Sequence, residues 1–347
     1  MSNQDDTAKP GQWGPPYLLY LGNAPDDLAI KTARGLAYWR PHWCIGQHRR
    51  TGCKPTLGLR EMGMAEAKAE GANTMVIGTA NAGGVMGPEI VADIITALDA
   101  GLHVVAGLHQ KLRENPDIVA AAQRNGRMLF DARDPAPGIP VGSGRPRDGH
   151  RLLTVGTDCS VGKMYTTLAI ERALRRRNVK ANFRATGQTG IFIAGSGVPI
   201  DAVVADFISG GIEWISPARF DGGWDLIEGQ GSLFHPSYAG VSLGLLHGAQ
   251  PDALVLCHEP TRPHMRGLPG YPLPDLQRCL AANLVAARLT NPAVKAIGVA
   301  LNTSGIPAEQ AEALCAQTSR LLGLPCQDPV TMGVESIVDN LLACFVN

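Results

Sequence analysis

One segment constrains the fold of this chain more than any other: an apolar run that leads through a glycine-rich turn into a helical pattern. Residues 151–155, Arg-Leu-Leu-Thr-Val, predict a buried strand, and a helical pattern follows Met164. The turn between them, residues 156–164, ends in Gly162 and Lys163 before the helix. In such a strand–loop–helix, backbone N–H groups and the helix N-terminus cradle a phosphate, and the lysine ammonium adds a point charge. The segment therefore predicts a phosphate-binding loop inside an α/β domain.

The loop departs from the strict phosphate-loop pattern in two places. It is one residue longer, and Met164 stands where serine or threonine would bind Mg²⁺. Because a thioether is a poor ligand for a hard cation, the loop favours a phosphate ligand that needs no metal-assisted phosphoryl transfer, such as coenzyme A with its pyrophosphate. A metal held by Asp158, Thr166, Thr167 and Glu228 stays an open alternative. The predicted cofactor-binding residues are Gly156, Thr157, Asp158, Cys159, Ser160, Val161, Gly162, Lys163 and Met164.

Strand-like and helix-like segments alternate on both sides of this loop, which indicates an α/β fold with two doubly wound domains. We predict a Rossmann-like N-terminal domain over residues 17–136 and a P-loop NTPase-like C-terminal domain over residues 151–347. Residues 137–150, rich in proline and glycine, predict a linker, and residues 1–16 a disordered lead-in. The predicted strands are 17–21, 43–45, 74–77, 103–106, 128–130, 151–155, 181–185, 224–227, 253–257 and 296–301. The predicted helices start near Asp27, Pro88, Pro116 and Met164, lie near Leu243, and cover 273–289, 308–322 and 334–343.

Charge and cysteine usage exclude several classes of function. Thirty-one basic residues balance 31 acidic ones, which argues against a nucleic-acid binder or a polybasic membrane anchor. No apolar run approaches the ~20 residues that a membrane span needs. Eight cysteines lie scattered without a CxxC pair or a secretory signal, so we expect reduced thiols in a cytoplasmic protein with no structural zinc. Whether the chain forms a homo-oligomer stays open.

Glu228 ends another apolar segment, Trp224-Asp-Leu-Ile, and doubly wound sheets place their active sites at such strand ends. We predict Glu228 as a catalytic carboxylate and His235 as a second candidate base, since imidazole takes a proton near pH 7. The glycines at 229 and 231 allow close approach of backbone to a ligand. A solvated glutamate and a loop histidine satisfied by its neighbours are the alternatives. The predicted substrate-binding residues here are Gly229, Gln230 and Gly231.

Two further loops carry candidate cations. Residues 257–267 contain Arg262 and Arg266, and guanidinium groups match carboxylate geometry, although a solvated polar loop is the alternative. Residues 183–190 start at a predicted strand end with small polar residues. The substrate-binding residues predicted from these loops are His258, Arg262, Arg266, Arg184 and Gln188. In the first half, Asn81 and His109 are candidates for a small-molecule pocket, with helix capping as an equal alternative.

Five long segments together look like the D-glutamate N-acetyltransferases. They are residues 17–26, 156–165, 184–190, 228–240 and 257–262, and the resemblance covers nearly the whole chain beyond residue 16. That family has a Rossmann-like N-terminal half and a P-loop C-terminal half, and the methionine after the loop lysine belongs to the resemblance. It implies transfer of acetyl from acetyl-CoA to the amine of the small-molecule substrate D-glutamate, in bacterial D-amino acid catabolism.

The implied reaction needs a base, an oxyanion site and cations. We expect Glu228 or His235 to take the ammonium proton, and N–H groups of residues 229–231 to stabilise the tetrahedral oxyanion. Arg184, Arg262 and Arg266 are candidates to bind the substrate carboxylates. Direct transfer is favoured over an acyl-enzyme on Cys159, and no metal is expected.

Two other functions remain open from sequence. The phosphate loop also resembles that of dethiobiotin synthetase, so an ATP- and Mg²⁺-dependent ligase or kinase is the first alternative. A non-catalytic sensor of nucleotide or coenzyme A is the second. Nothing in a residue string distinguishes a pocket for D-glutamate from one for L-glutamate.

Overall fold

The computed structural model describes residues 13–27, 29–79 and 86–345. The chain divides into two compact units. The first comprises residues 1–135 and 191–199, and the second comprises residues 136–190 and 200–347. Among the described residues, none of the helices combines the length and apolar character that crossing a bilayer requires.

The first unit is built on a parallel sheet whose central strands are buried on both faces, which explains their continuous apolar runs. In the described residues the sheet has five strands in the order β2-β1-β3-β4-β5. The strand order changes direction between β1 and β3, as in Rossmann-like folds. The strands are β1 (Tyr17–Gly22), β2 (Cys44–Arg49), β3 (Thr74–Ile77), β4 (His103–Ala106) and β5 (Leu129–Asp131). The helices are α1 (Lys31–Trp39), α2 (Met64–Ala69), α3 (Pro88–Asp99) and α4 (Pro116–Arg124).

Local signals explain where these elements begin. Asn115 caps α4 by accepting hydrogen bonds from the N–H groups of Asp117 and Ile118, as the Asn-Pro pair predicts. β2 starts at Cys44 instead of the predicted residue 43 because Pro41–Trp43 forms a 3₁₀ turn. α1 starts at Lys31, later than predicted, because the carboxylate of Asp26 caps a preceding turn at Ala29 N.

The second unit contains a parallel sheet in the order β11-β10-β9-β6-β8-β7, six strands among the described residues. β6 lies between β8 and β9, so the loops after these three strands meet at one edge, the switch point where doubly wound sheets bind ligands. The strands are β6 (His150–Gly156), β7 (Ala181–Arg184), β8 (Trp224–Ile227), β9 (Ala253–His258), β10 (Lys295–Leu301) and β11 (Cys326–Gln327). The helices along this part of the chain are α5 (Lys163–Arg176), α6 (Gln188–Ala194), α7 (Ile208–Ile215), α8 (Ala239–Ala249), α9 (Leu276–Arg288), α10 (Ala308–Leu322) and α11 (Glu335–Phe345).

The predicted linker is fastened to the second unit. Residues 137–149 contain no helix or strand. Arg147 donates hydrogen bonds to the carbonyl oxygens of Ser216 (2.9 Å) and Gly248 (2.6 Å), at the ends of α7 and α8. A cation at helix C-terminal carbonyls offsets their partial negative charge. The segment therefore caps two helices of its own unit.

Two predictions concern residues at the limits of the description. Of the predicted lead-in, residues 1–12 lie outside the described residues. At its end, Trp13 stacks on Phe130 with 4.4 Å between ring centroids, and Gly14 N donates to Thr74 Oγ1 (3.0 Å). Asn81, a pocket candidate, also lies outside the described residues, so its role stays a prediction.

Candidate active site

The phosphate-binding loop joins β6 to α5 through two left-handed residues. Ser160 has φ of +54° and Gly162 has φ of +97°. Alternating backbone handedness of this kind turns successive N–H groups toward one concave side, where an anion can bind. A side chain at Gly156 would approach the Lys163 ammonium within 3.2 Å and Val161 within 2.8 Å, so glycine keeps the loop open.

Lys163 stands at the first position of α5 and is 6% exposed. Its Nζ donates to the carbonyl oxygen of Asp158 (2.7 Å), and burial lowers the pKa of its ammonium. A buried ammonium with one acceptor among the described residues is under-solvated, so an anion in the loop would gain a strong charge-assisted contact. The loop thus presents a cation and oriented N–H groups at the same place.

The carboxylate of Asp158 is fully buried and holds the loop together. Its Oδ1 accepts from Cys159 N (2.7 Å), and its Oδ2 accepts from Arg262 Nη1 and Arg266 N, both at 2.7 Å. Burial alone would raise the pKa of Asp158, but these hydrogen bonds and the Arg262 charge outweigh it and lower the pKa. Asp158 is therefore an anion that anchors the 257–267 loop.

Arg262 is a positioning residue for the phosphate loop in this structure. Besides Asp158, its guanidinium donates to the carbonyl oxygens of Cys159 (2.6 Å) and Ser160 (3.2 Å) and pairs with Glu259. Because a trans peptide points its C=O and N–H in opposite directions, holding these carbonyls outward turns the N–H groups of the next residues toward the other side. Arg262 was predicted as a substrate cation; its Nη1 and Nη2 both donate within these loops, and the predicted role stays a prediction. Arg266, whose side chain bonds Ser160 Oγ, stays exposed at the rim.

The hydroxyl groups on α5 are used within the loop and sheet. Thr166 Oγ1 donates to the Gly162 carbonyl (3.0 Å), and Thr167 Oγ1 donates to the Lys163 carbonyl (2.8 Å) and contacts Thr154 Oγ1 (3.0 Å). Of the four ligands considered for a metal, Asp158, Thr166 and Thr167 already make hydrogen bonds within the loop and sheet, and Met164 stands at the usual serine or threonine position.

Glu228 follows β8 directly and is 5% exposed. Its Oε2 accepts from the N–H groups of Thr186 (3.0 Å) and Gly187 (3.2 Å). Burial raises the pKa of Glu228 to about 7, while those hydrogen bonds and the Lys163 charge partly oppose the shift. A carboxyl group that titrates near neutral pH is suited to accept and release a proton.

The loop after Glu228 is tied to its neighbours. Gly229 N donates to Thr154 Oγ1 (3.0 Å), and a side chain at Gly229 would collide with the Thr154 carbonyl oxygen. The predicted oxyanion role of the Gly229 N–H is therefore corrected, because that donor is occupied. Gln230 donates from Nε2 to Thr186 Oγ1 (3.2 Å), and Gly231 turns the chain with φ of +63°.

Three side chains with metal-binding atoms converge at the loop. The ligand atoms of Asp158, Cys159 and His235 lie within 4.8 Å of one another. The ion pair with Arg262 already neutralises Asp158, so this donor set does not fit a divalent cation while that pair is formed. The thiol of Cys159 has its pKa raised, chiefly by burial, against the opposing charge of Lys163.

His235 is buried and has both ring nitrogens engaged. Ser237 N donates to Nδ1 (3.2 Å), so Nδ1 is an acceptor and the proton of the neutral ring lies on Nε2, which faces the Arg266 carbonyl (3.2 Å). Its ring also packs on Tyr238, with 4.5 Å between centroids. Of the two predicted bases, Glu228 is the better suited, because the lone pair of His235 is already used.

The remaining predicted substrate residues fall into two groups. His258 lies at the loop, with Nδ1 2.9 Å from Thr157 Oγ1, and burial together with Arg262 lowers its pKa to about 4. Arg184 pairs with the buried carboxylate of Asp225 (2.9 Å), and its predicted role as a substrate cation stays a prediction. Gln188 stands at the start of α6, and its buried Oε1 accepts no hydrogen bond among the described residues.

Sequence reasoning missed the residues that hold the site in place. Thr154 Oγ1 accepts from Gly229 N, Thr186 Oγ1 donates to the Glu228 carbonyl (2.6 Å), and Ser232 Oγ donates to the Thr157 carbonyl (3.1 Å). These are short hydroxyl side chains within or after strands, and only their position at the sheet edge distinguishes them from ordinary turn residues.

The parallel sheet, the glycine loop with its buried lysine and the carboxylate at the neighbouring strand end define a protein of the P-loop class. The family models that match the chain describe the same two kinds of domain. Residues 48–135 match the Rossmann-like domain and residues 140–338 the P-loop domain of a family described as a domain of unknown function, DUF1611. The chain belongs to this family.

Relatives of known name and structure cover nearly the whole chain. Two curated proteins, both named D-glutamate N-acetyltransferase, come from a Pseudoalteromonas species and from Tritonibacter scottomollicae. They are 50% and 51% identical, each over 94% of this chain and 98% of the relative. A crystal structure of a DUF1611 family protein from Anabaena variabilis has a TM-score of 0.84 and 31% identity over 94% of this chain and 99% of its own. The resemblance to the D-glutamate N-acetyltransferases and the two-domain α/β fold predicted from sequence are thereby confirmed.

Proposed function

We propose that this protein is an N-acetyltransferase that moves the acetyl group of acetyl-CoA to the amine of D-glutamate, in cytoplasmic D-amino acid catabolism. The names of the two curated relatives support the substrate and the reaction. The observation that carries the chemistry is the buried carboxyl of Glu228, with a pKa near 7, beside the lysine of a phosphate loop.

Glu228 acts as the general base. An amine attacks a thioester only after its ammonium loses a proton, and a carboxylate with a pKa near 7 holds that proton at working pH. The hydrogen bonds from Thr186 N and Gly187 N fix the carboxyl orientation. Acetyl-CoA would supply the activated acyl group: the amide C–N bond forms, the thioester C–S bond breaks, and coenzyme A leaves as its thiolate, a step that needs no metal.

The phosphate loop would hold the coenzyme pyrophosphate. Lys163 supplies the charge, and the glycines at 156 and 162 leave the space for backbone N–H groups to approach oxygen atoms. This fits coenzyme A better than a triphosphate cleaved with Mg²⁺, because Met164 offers no hydroxyl and Asp158 is paired with Arg262. An ATP-dependent ligase or kinase is the alternative that the same assay tests.

The direct test is incubation of the purified protein with acetyl-CoA and a panel of D- and L-amino acids, with release of free CoA as the readout. We expect release with D-glutamate, and N-acetylglutamate in the product by mass spectrometry. No release with D-glutamate would contradict the proposal. Parallel reactions with ATP and Mg²⁺ serve as control, and hydrolysis that needs both the amino acid and Mg²⁺ would favour the ligase or kinase.

Direct transfer predicts that Cys159→Ala keeps activity within about threefold of the parent protein. The raised pKa of Cys159 leaves the thiol protonated near neutral pH, and the thiolate is the nucleophilic form. Steady-state rates and acetyl-CoA binding would be measured on the same preparation. Loss of all activity with acetyl-CoA binding retained would instead indicate an acetyl-cysteine intermediate.

A further inference from the structure

A cavity of about 350 Å³ lies at the end of the second unit's sheet that is opposite the candidate active site. His150 and Trp224, which line it, are the first residues of β6 and β8. The phosphate loop and Glu228 follow the other ends of the same strands, and the seven residues of β6 separate its two ends by about 20 Å. The volume falls within the range of small-molecule pockets. The cavity is therefore a candidate binding site separate from the acyl-transfer groups.

Three aromatic rings form one wall of this cavity. His150 stacks on the buried Trp224 with 4.7 Å between ring centroids, and 41% of the His150 side chain is still exposed. Phe345 stands nearly perpendicular to Trp224 at 5.3 Å, and its ring lies 5.9 Å from that of His150. Val179 and Leu342 add apolar surface beside the rings. Because the three rings hold one another in place, they offer a fixed wall on which a flat ring can pack.

The polar side of the cavity carries hydrogen-bond donors that lack acceptors. Lys180 Nζ lies 4.0 Å from Asp221 Oδ2, which is too far for a hydrogen bond. Asp221 does not depend on this lysine, because its oxygens accept from Arg219 Nε (3.0 Å), Arg219 Nη2 (2.9 Å) and Gly223 N (3.0 Å). The side-chain amide of Asn178 also lines the cavity and makes no hydrogen bond with the described residues. Lys180 and Asn178 can therefore both donate to an acceptor that enters the cavity.

The charges around the cavity favour an anion. Arg219 neutralises Asp221, and Arg177, just after α5, pairs with Asp339 on α11. The ammonium of Lys180 then remains in excess, with 67% of its side chain exposed. Solvent screens an exposed charge, so this ammonium would contribute modestly to binding and would mainly select for an acidic ligand. The aromatic wall would contribute the larger part of the affinity.

We propose that this cavity binds a small aromatic carboxylate, with its ring against His150 and Phe345 and its carboxylate at Lys180 and Asn178. The ring of such a ligand covers exposed apolar surface, and its carboxylate accepts from the two donors that lack partners. The site lies at the amino ends of the strands, whereas doubly wound sheets bind their substrates at the carboxyl ends. The inference is independent of the proposed function, because it uses neither the phosphate loop nor Glu228.

The test uses indole-3-acetate as the probe, with binding to the whole chain measured by titration calorimetry. We expect a Kd below about 1 mM, and neutral indole-3-acetamide should bind about twofold to fivefold more weakly. Lys180→Ala should weaken indole-3-acetate by the same factor and leave indole-3-acetamide unchanged. Phe345→Leu, which keeps apolar bulk but removes the ring, should weaken both probes about threefold to tenfold. Arg288→Ala removes an exposed charge on α9 outside the cavity and is the matched control, which should change neither.

Three results would overturn the assignment. A Kd above about 1 mM for the parent protein would do so, as would equal weakening by Lys180→Ala and Arg288→Ala, which indicates a general effect of charge. Saturating acetyl-CoA should leave the Kd of the probe unchanged, so displacement of the probe by acetyl-CoA would place it at the phosphate loop and reject the cavity. Lys180 is exposed, so its variant tests the site even where Phe345→Leu lowers stability. Failure of acetyl transfer would leave this inference standing, because these binding measurements do not use that reaction.

Discussion

Glu228→Gln is expected to lower kcat by a factor of about 10² to 10⁴, the usual contribution of a general base, with little change in CoA affinity. Glutamine keeps an oxygen to accept from Thr186 N and Gly187 N, so the loop geometry is retained while proton transfer is lost. Initial rates of CoA release, with the Kd of CoA measured separately, would distinguish a chemical defect from a binding defect.

The pH dependence gives a sharper test of the same group. The parent activity should rise with pH around an apparent pKa of about 7, since the carboxylate is the active form. Glu228→Gln should lose that transition, whereas His235→Gln, at the other candidate base, should keep it. Loss of the transition in His235→Gln, or activity of Glu228→Gln within threefold of the parent, would reject Glu228 as the base.

The raised pKa also fixes the sign of a stability effect. Ionising Glu228 inside the fold is unfavourable, so its contribution to stability falls as pH rises from about 4.5, its usual value, to about 7. Glu228→Gln removes this cost, so its Tm should fall less than the parent Tm between pH 5 and pH 8. An inactive but stable variant excludes unfolding as the cause of lost activity.

Arg262→Ala is expected to lower the free energy of unfolding by about 3–5 kcal/mol at neutral pH, the usual cost of leaving one partner of a buried ion pair alone. Asp158 is fully buried, and Arg262 is its charged partner at 2.7 Å. The variant should also bind CoA more weakly, because the carbonyls of Cys159 and Ser160 lose the group that orients them. Urea unfolding and calorimetry would measure the two effects.

Matched variants separate charge from shape at this pair. Arg262→Lys keeps the charge but not the forked geometry and should fall between the parent and Arg262→Ala. Asp158→Asn combined with Arg262→Ala should cost much less than the sum of the single changes, because no unpaired carboxylate remains. Additive costs would contradict a coupled pair.

The pH dependence of this pair has the opposite sign to that of Glu228. The pKa of Asp158 is lowered in the fold, so its stabilising contribution is present above its usual value near 3.8 and is lost as pH falls through the folded pKa. The difference between the parent and Arg262→Ala should therefore shrink in acid. A difference that stays constant down to pH 3 would show that Arg262 stabilises the loop without Asp158.

Much of the fold was predictable because the strands of parallel sheets are buried on both faces and read as apolar runs. The predicted strands at 74–77, 103–106 and 224–227 match β3, β4 and β8 in full. Four short elements were missed: α2, α6 and α7 have six, seven and eight residues, and β11 has two. Such segments hold too few residues for a periodic pattern, and packing against neighbours stabilises them instead.

The site was predicted in its parts more than in its contacts. The phosphate loop, its lysine and Glu228 were predictable because they follow apolar strand segments and because the glycines have a fixed spacing. Sequence could not assign Arg184 and Arg262, since an arginine pairs with whichever carboxylate the fold brings near, here Asp225 and Asp158. Nor could it choose between Glu228 and His235 as the base.

The sequence by itself determined the two-domain α/β organisation, the phosphate loop and the family, because these depend on local periodicity and on glycine, lysine and methionine at fixed spacing. Only the tertiary structure decided which groups are free for chemistry. Burial raises the pKa of Glu228 to about 7, and Ser237 N donates a hydrogen bond to the lone pair on His235 Nδ1. Desolvation and hydrogen bonding depend on residues that are far apart in the chain, such as Asp158 and Arg266. These effects arise only when folding places the strands side by side.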